Sequence, residues 1–163
     1  MLRITRLFAL FALAASVACG TDYYSGPTSA TDVDKDTYAP ALGIDLAAMT
    51  KTTEGVYYVD KVEGTGAAIA QGDSVRVWYT GYLSNGQTFD TNQGTTDTLS
   101  LRFKVGDPGL IEGFSIGVRG MKVGGRRLFI IPSALAFGAQ GSANGQIPRY
   151  ANLIFDVSLL NKF

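Results

Sequence analysis

Alternation of apolar and polar residues dominates the C-terminal two thirds of the chain. Val75, Val77 and Tyr79 alternate with Arg76, Trp78 and Thr80, the period-two pattern of a half-buried strand. Positions 56–62 are rich in β-formers and are followed by Gly64. Positions 99–105 alternate again, and 128–131 and 153–159 read as further strands. Asn85-Gly86 marks a hairpin, because both residues tolerate positive φ. A helical period stands out only at 109–119, where Ile111, Phe114 and Val118 share one face and Gly120 ends the run. Several antiparallel strands and one short amphipathic helix predict an α+β domain, with the helix covering one face of the sheet.

The N-terminus follows a different pattern. Arg3 and Arg6 precede an apolar run over 7–18, and Cys19 follows. Positive, then apolar, then small residues is the order of a secretory signal. The run is short for a spanning helix, which needs roughly 20 apolar residues. The competing reading is a helix buried in the folded domain. Val17, Ala18 and Cys19 resemble the end of a bacterial lipoprotein signal, with Ser16 where a large aliphatic residue is usual. That resemblance implies that Cys19 is lipidated and becomes the mature N-terminus. The protein would then be exported and membrane-anchored, facing the periplasm, on the outer membrane. The bland alternative is a buried cysteine in a signal cleaved elsewhere. Residues 20–50 hold Ser, Thr, Gly and Pro, with one Lys against five Asp. Such a segment buries little and reads as a flexible tether. Within it, 44–49 is apolar enough for a short helix packed on the domain. The expected organisation is a signal over 1–18, a tether over 19–50 and a globular domain over 51–163.

Composition removes whole classes of chemistry. The 163 residues include no histidine and one cysteine. Ser-His-Asp and Cys-His catalysis and His-ligated zinc are excluded, and so are an intrachain disulfide and a cysteine metal cluster. No metal or cofactor is called for. Fourteen Lys and Arg balance fourteen Asp and Glu, so the basic footprint of a nucleic-acid binder is missing.

Three segments together resemble the FKBP family of peptidyl-prolyl cis-trans isomerases. The first is Val77-Trp-Tyr-Thr-Gly-Tyr-Leu-Ser-Asn-Gly-Gln-Thr-Phe-Asp90, which matches V-x-Y-x-G-x-L-x-x-G-x-x-F-D at each fixed position. The second runs from Gly106-Asp-Pro-Gly-Leu-Ile-Glu-Gly-Phe114 to Gly117-Val-Arg-Gly-Met-Lys-Val-Gly124. The third is Ile131-Pro-Ser-Ala-Leu-Ala-Phe-Gly138, then Ile147-Pro148 and Leu153-Ile-Phe-Asp-Val157. The resemblance implies a strongly twisted antiparallel sheet wrapped around one short helix, with a prolyl pocket between them. It places Tyr79, Phe89, Asp90, Ile111, Phe114, Phe137 and Phe155 as catalytic residues. It adds Leu101, Phe103, Leu110 and Ile147 as further substrate-binding residues. Phe114 would be the aromatic floor, where the family usually has Trp. Ile111 would offer its backbone N–H to a substrate carbonyl, and Tyr79 and Asp90 would form a polar pair at the wall. Phe137 stands where the family usually has a Tyr hydroxyl, and Ser142 stands near a position that is His in some members. Arg126-Arg127 reads as a solvated strand face.

The implied chemistry suits a histidine-free chain. Rotation about a peptide bond is opposed by amide resonance, with a barrier of ~18–20 kcal/mol. The twisted amide is less polar than the planar one, so an apolar pocket favours the transition state over the ground state. Lowering the barrier by ~7 kcal/mol accelerates rotation on the order of 10⁵-fold, with no proton transfer to the enzyme. The implied substrates are X-Pro bonds in unfolded or exported chains, and the implied inhibitors are macrolides of the rapamycin kind. A non-catalytic proline-binding module or holdase is the alternative reading. The long insert that chaperone-like members carry after the hairpin is absent, which weighs against strong holdase action.

Overall fold

The computed structural model describes residues 25–93 and 100–163. The signal over 1–18 and the lipidation call on Cys19 lie outside these residues. Seven strands form one antiparallel sheet: β1 (Thr50–Lys51), β2 (Tyr57–Val62), β3 (Ser74–Leu83), β4 (Thr88–Thr91), β5 (Leu101–Lys104), β6 (Arg126–Ile131) and β7 (Leu153–Lys162). The order is β1-β2-β6-β7-β3-β4, and β5 also pairs with β3. Among the described residues one α-helix, α1 (Glu112–Val118), lies across the inner face. The α+β reading holds.

Period-two burial explains which face turns inward. On β3, Val75 and Val77 are buried beneath the helix; on β7, Phe155, Val157 and Leu159 are. The helix is shorter than 109–119 because Asp107 accepts the Gly109 N–H and holds a turn ahead of it. Gly120, at φ +77°, ends it as expected. Gly113 and Gly117 let the helix lie close to β6. A Cβ on Gly117 would sit 2.5 Å from the Phe129 ring, and one on Gly113 would collide with Ile131.

The hairpin forms at Asn85-Gly86 with one difference. Only Gly86 takes positive φ, at +89°. Gly86 N–H donates to Leu83 O, Leu83 N–H donates to Gln87 O, and the Asn85 carboxamide accepts from Gln87 N–H. This is the three-residue loop in which a glycine follows a tight turn, not the two-residue form.

Two expectations are corrected. Residues 31–50 do not dangle as the second half of a tether. Val33, Tyr38, Leu42, Ile44, Leu46 and Met49 pack on Leu128, Ile130 and Ile154 of the outer sheet face. Apolar side chains dispersed among polar ones cover the half of that face that would otherwise be wet. The apolar stretch at 44–49 contributes a 3-10 turn at Leu46–Ala48. Asp36 ties this strap down, accepting from Ser84 Oγ and from Asn152 Nδ2, each at 2.9 Å. Asn152 is buried and also donates to Thr31 O, while its Oδ1 accepts the Ser133 N–H.

The second correction concerns Arg126-Arg127. Arg126 is exposed on the outer face and pairs with Asp156. Arg127 is buried on the inner face at 5% exposure. It donates to both oxygens of Asp60 and to the carbonyls of Gly117 and Arg119 at the end of α1, and it stacks on Tyr58 at 4.1 Å. Those carbonyls have no partner further along the helix, so the guanidinium fork closes the helix end.

Candidate active site

Between α1 and the inner face of β3, β4, β5 and β7 lies a cavity of about 210 Å³. Of the eleven residues placed there from sequence, nine line it: Tyr79, Phe89, Asp90, Leu101, Leu110, Ile111, Phe114, Phe137 and Phe155. The other two stand just behind or beside it. Phe103 packs on the Phe114 ring at 5.5 Å. Ile147 is buried and lines an adjoining space together with Phe89, Asp90 and Phe137. Gly109 also lines the cavity, and sequence reasoning did not single it out. Its place beside Leu110, one turn ahead of the helix, was the available signal.

The floor is a lattice of rings. Phe114 is buried and meets Tyr79, Phe103, Phe129 and Phe155 edge-on, with centroids 5.0–6.0 Å apart. Edge-to-face contacts of this kind lock ring positions beyond what area burial does. Gly81 makes room for the wall. A Cβ there would lie 2.5 Å from Phe89 and 3.0 Å from Phe155. Phe89 and Phe155 consequently meet each other edge-on at 5.6 Å.

The polar groups are few. Tyr79 Oη donates to Asp90 Oδ2 at 2.5 Å. Burial first, and then the hydrogen bond to the Asp90 carboxylate, push the Tyr79 phenol well above its ordinary value, so it keeps its proton. The N–H of Ile111, the residue that caps α1, has no acceptor among the described residues. An unused donor at the wall of an apolar cavity is available to a ligand carbonyl. Phe137 sits at the lip, 36% exposed.

The missing hydroxyl at Phe137 has a measurable consequence. Phe137→Tyr adds a donor at the lip, where a single neutral hydrogen bond contributes about 0.5–1.5 kcal/mol. A gain in kcat/KM of up to about tenfold on an X-Pro peptide is expected. Loss of activity with an intact fold would show that position 137 faces something other than substrate.

A family model described as FKBP-type peptidyl-prolyl cis-trans isomerase matches residues 66–160. The chain is 40% identical over 109 residues to an FK506-binding protein of Neisseria meningitidis serogroup B, covering 67% of this chain and 97% of that protein. It is 42% identical over 139 residues to FK506-binding protein 4 of Emericella nidulans, covering 83% of this chain but 28% of that protein. The chain thus spans about a quarter of the fungal relatives' length. Among solved structures, AtFKBP13 superposes with a TM-score of 0.62 at 31% identity, over 71% of this chain and 98% of that one. FkpA from Escherichia coli gives the same TM-score at 33% identity, over 71% of this chain and 51% of that one. The chain belongs to the FKBP-type peptidyl-prolyl cis-trans isomerase family.

Proposed function

We propose that the protein accelerates cis-trans rotation of X-Pro bonds in unfolded polypeptides. The observation that carries this reading is the aromatic cavity floored by Phe114, whose polar features among the described residues are the Tyr79–Asp90 pair and the Ile111 N–H. Proline fits between the rings, and the Ile111 N–H takes a neighbouring carbonyl. The apolar walls disfavour the polar planar amide, which is differential binding of the twisted state. Macrolides of the rapamycin kind would occupy the same cavity; relatives are named for binding FK506. The non-catalytic alternative rests on the hydroxyl that Phe137 lacks; the Phe114 floor, the Tyr79–Asp90 pair and the Ile111 N–H weigh against it.

The test is an NMR exchange measurement on an X-Pro peptide across pH. The chain has no histidine, and Tyr79 stays protonated. kcat/KM is therefore expected to stay within twofold between about pH 6 and 8.5, since no proton-transfer group titrates there. A bell-shaped profile with the fold intact would refute the twisted-amide reading.

The proposal extends to location. The N-terminal pattern, with Cys19 after the apolar run, supports an exported, lipid-anchored form facing the periplasm. Cys19→Ser is expected to abolish lipid labelling. Mass spectrometry finding a free N-terminus downstream of Cys19 in the wild type would sink it.

A further inference from the structure

The prolyl cavity and the space adjoining it share Phe89, Asp90 and Phe137 as a common wall. Across both, Asp90 is the one charged lining residue among the described residues. Its Oδ2 accepts the Tyr79 hydroxyl, and it forms no ion pair among the described residues. No cation is available nearby in sequence, because residues 84–101 contain neither Lys nor Arg. The loop over 139–148 is wholly uncharged and bonded to itself: Ser142 Oγ donates to Asn144 Oδ1 at 2.7 Å and accepts the Ile147 N–H at 2.8 Å. Arg149, next along, lines neither space; its Nε donates to Ala139 O.

The opposite flank repeats the sign. Leu110 separates the prolyl cavity from a larger cleft of about 530 Å³. Glu54, Asp107, Glu112 and Arg119 line that cleft, and Arg119 is spent on Glu54 at 2.6 Å. Asp107 and Glu112 have no cationic partner among the described residues. A peptide lying across the pocket thus meets uncompensated carboxylates on both sides.

We infer that the site selects X-Pro segments flanked by lysine or arginine and discriminates against acidic flanks. The inference rests on the proposed function for placing proline in the cavity. A unit charge within several ångströms of an opposite one near a protein surface changes affinity by several-fold to about tenfold. Salt suppresses the effect, since the Debye length is about 10 Å at 0.1 M.

The experiment uses three X-Pro peptides that differ only in flanking residues: Lys, Gln or Glu on both sides. Binding is read by NMR shift titration and isomerisation by NMR exchange, at about 20 mM and about 0.5 M salt. At low salt the Lys peptide is expected to bind about five- to twentyfold more tightly than the Glu peptide, with the ratio collapsing toward about twofold at high salt. Glu112→Lys should cut the low-salt ratio at least about twofold and leave the Gln peptide unchanged. Equal affinities for the Lys and Glu peptides at low salt would overturn the inference even with full isomerase activity. Charge-ranked binding without acceleration would support it and overturn the isomerase reading instead. Failure of all three peptides to bind would overturn both.

Discussion

Phe114→Ala is expected to lower kcat/KM on X-Pro peptides by roughly tenfold to a hundredfold, about 1.4–2.7 kcal/mol of transition-state stabilisation. It should also destabilise the domain by about 3–5 kcal/mol. Both effects come from one ring. Phe114 is 3% exposed and touches four other aromatic rings. Its removal leaves a hole under the cavity and frees Tyr79 and Phe155 to tilt into it. The proline ring then loses the surface that resists its motion while the amide twists. Phe114→Leu separates the two effects: it refills most of the volume and restores stability, but offers no aromatic face. Its kcat/KM should stay depressed while its unfolding midpoint recovers by more than half. Should Phe114→Leu isomerise X-Pro peptides like the wild type, the floor would act through volume alone.

The site was more legible than its supports, for a physical reason. Tyr79, Phe89, Asp90, Phe114 and Phe155 fall inside the three short segments that resemble the FKBP family, and that resemblance carried them. Alternation on β3 placed the inner face correctly, since side chains on a strand alternate strictly between faces. β1 escaped notice because it is two residues long, at Thr50–Lys51, and both are exposed. No two-residue exposed strand has a pattern to read.

The strap over 31–50 was misread because composition averages over position. Its Asp, Ser and Thr content resembles a tether, yet its apolar residues land on one partner face. Asp36 shows how the strap meets the site. Ser84, which it accepts from, lies in the hairpin that leads to Phe89 and Asp90. Asn152, which also donates to it, closes the loop that carries Phe137 and Ile147. One carboxylate thus joins the two segments that bring Phe89, Asp90 and Phe137 to the cavity. A sequence window sees two unrelated polar residues, 48 and 116 positions from Asp36. Arg127 is a different kind of miss. It shares its face of β6 with Phe129 and Ile131, so period two already pointed it inward. Charge overrode periodicity in the reading, because an arginine is almost never fully buried unless paired. Its partner Asp60, directly across on β2, supplies that pairing.

Arg127→Ala is accordingly expected to destabilise the domain by about 3–5 kcal/mol, the range for breaking a buried pair from one side. On a domain of this size that corresponds to a fall in Tm of roughly 10–15 °C. The lost groups are specific. Asp60 is partly exposed and can recover water, so it contributes the smaller share. The Gly117 and Arg119 carbonyls lose a charged donor at the buried end of α1, where each hydrogen bond to a charged group contributes about 1.5–3 kcal/mol. Tyr58 loses the cation over its ring. Arg127→Lys keeps the charge but cannot span Asp60 and two carbonyls at once, because an ammonium is a single point and not a fork. It should fall between, at about 1–2.5 kcal/mol. The functional consequence is indirect, since α1 carries Phe114 and is capped by Ile111. With its C-terminal end released, the helix should open earlier than the sheet in hydrogen exchange. kcat/KM should drop severalfold at temperatures where Arg127→Ala is still folded, with the Tyr79–Asp90 pair unaltered. A Tm within about 3 °C of wild type would mean that water replaces the guanidinium at the helix end, and that α1 is held by Gly113 and Gly117 packing on β6 alone.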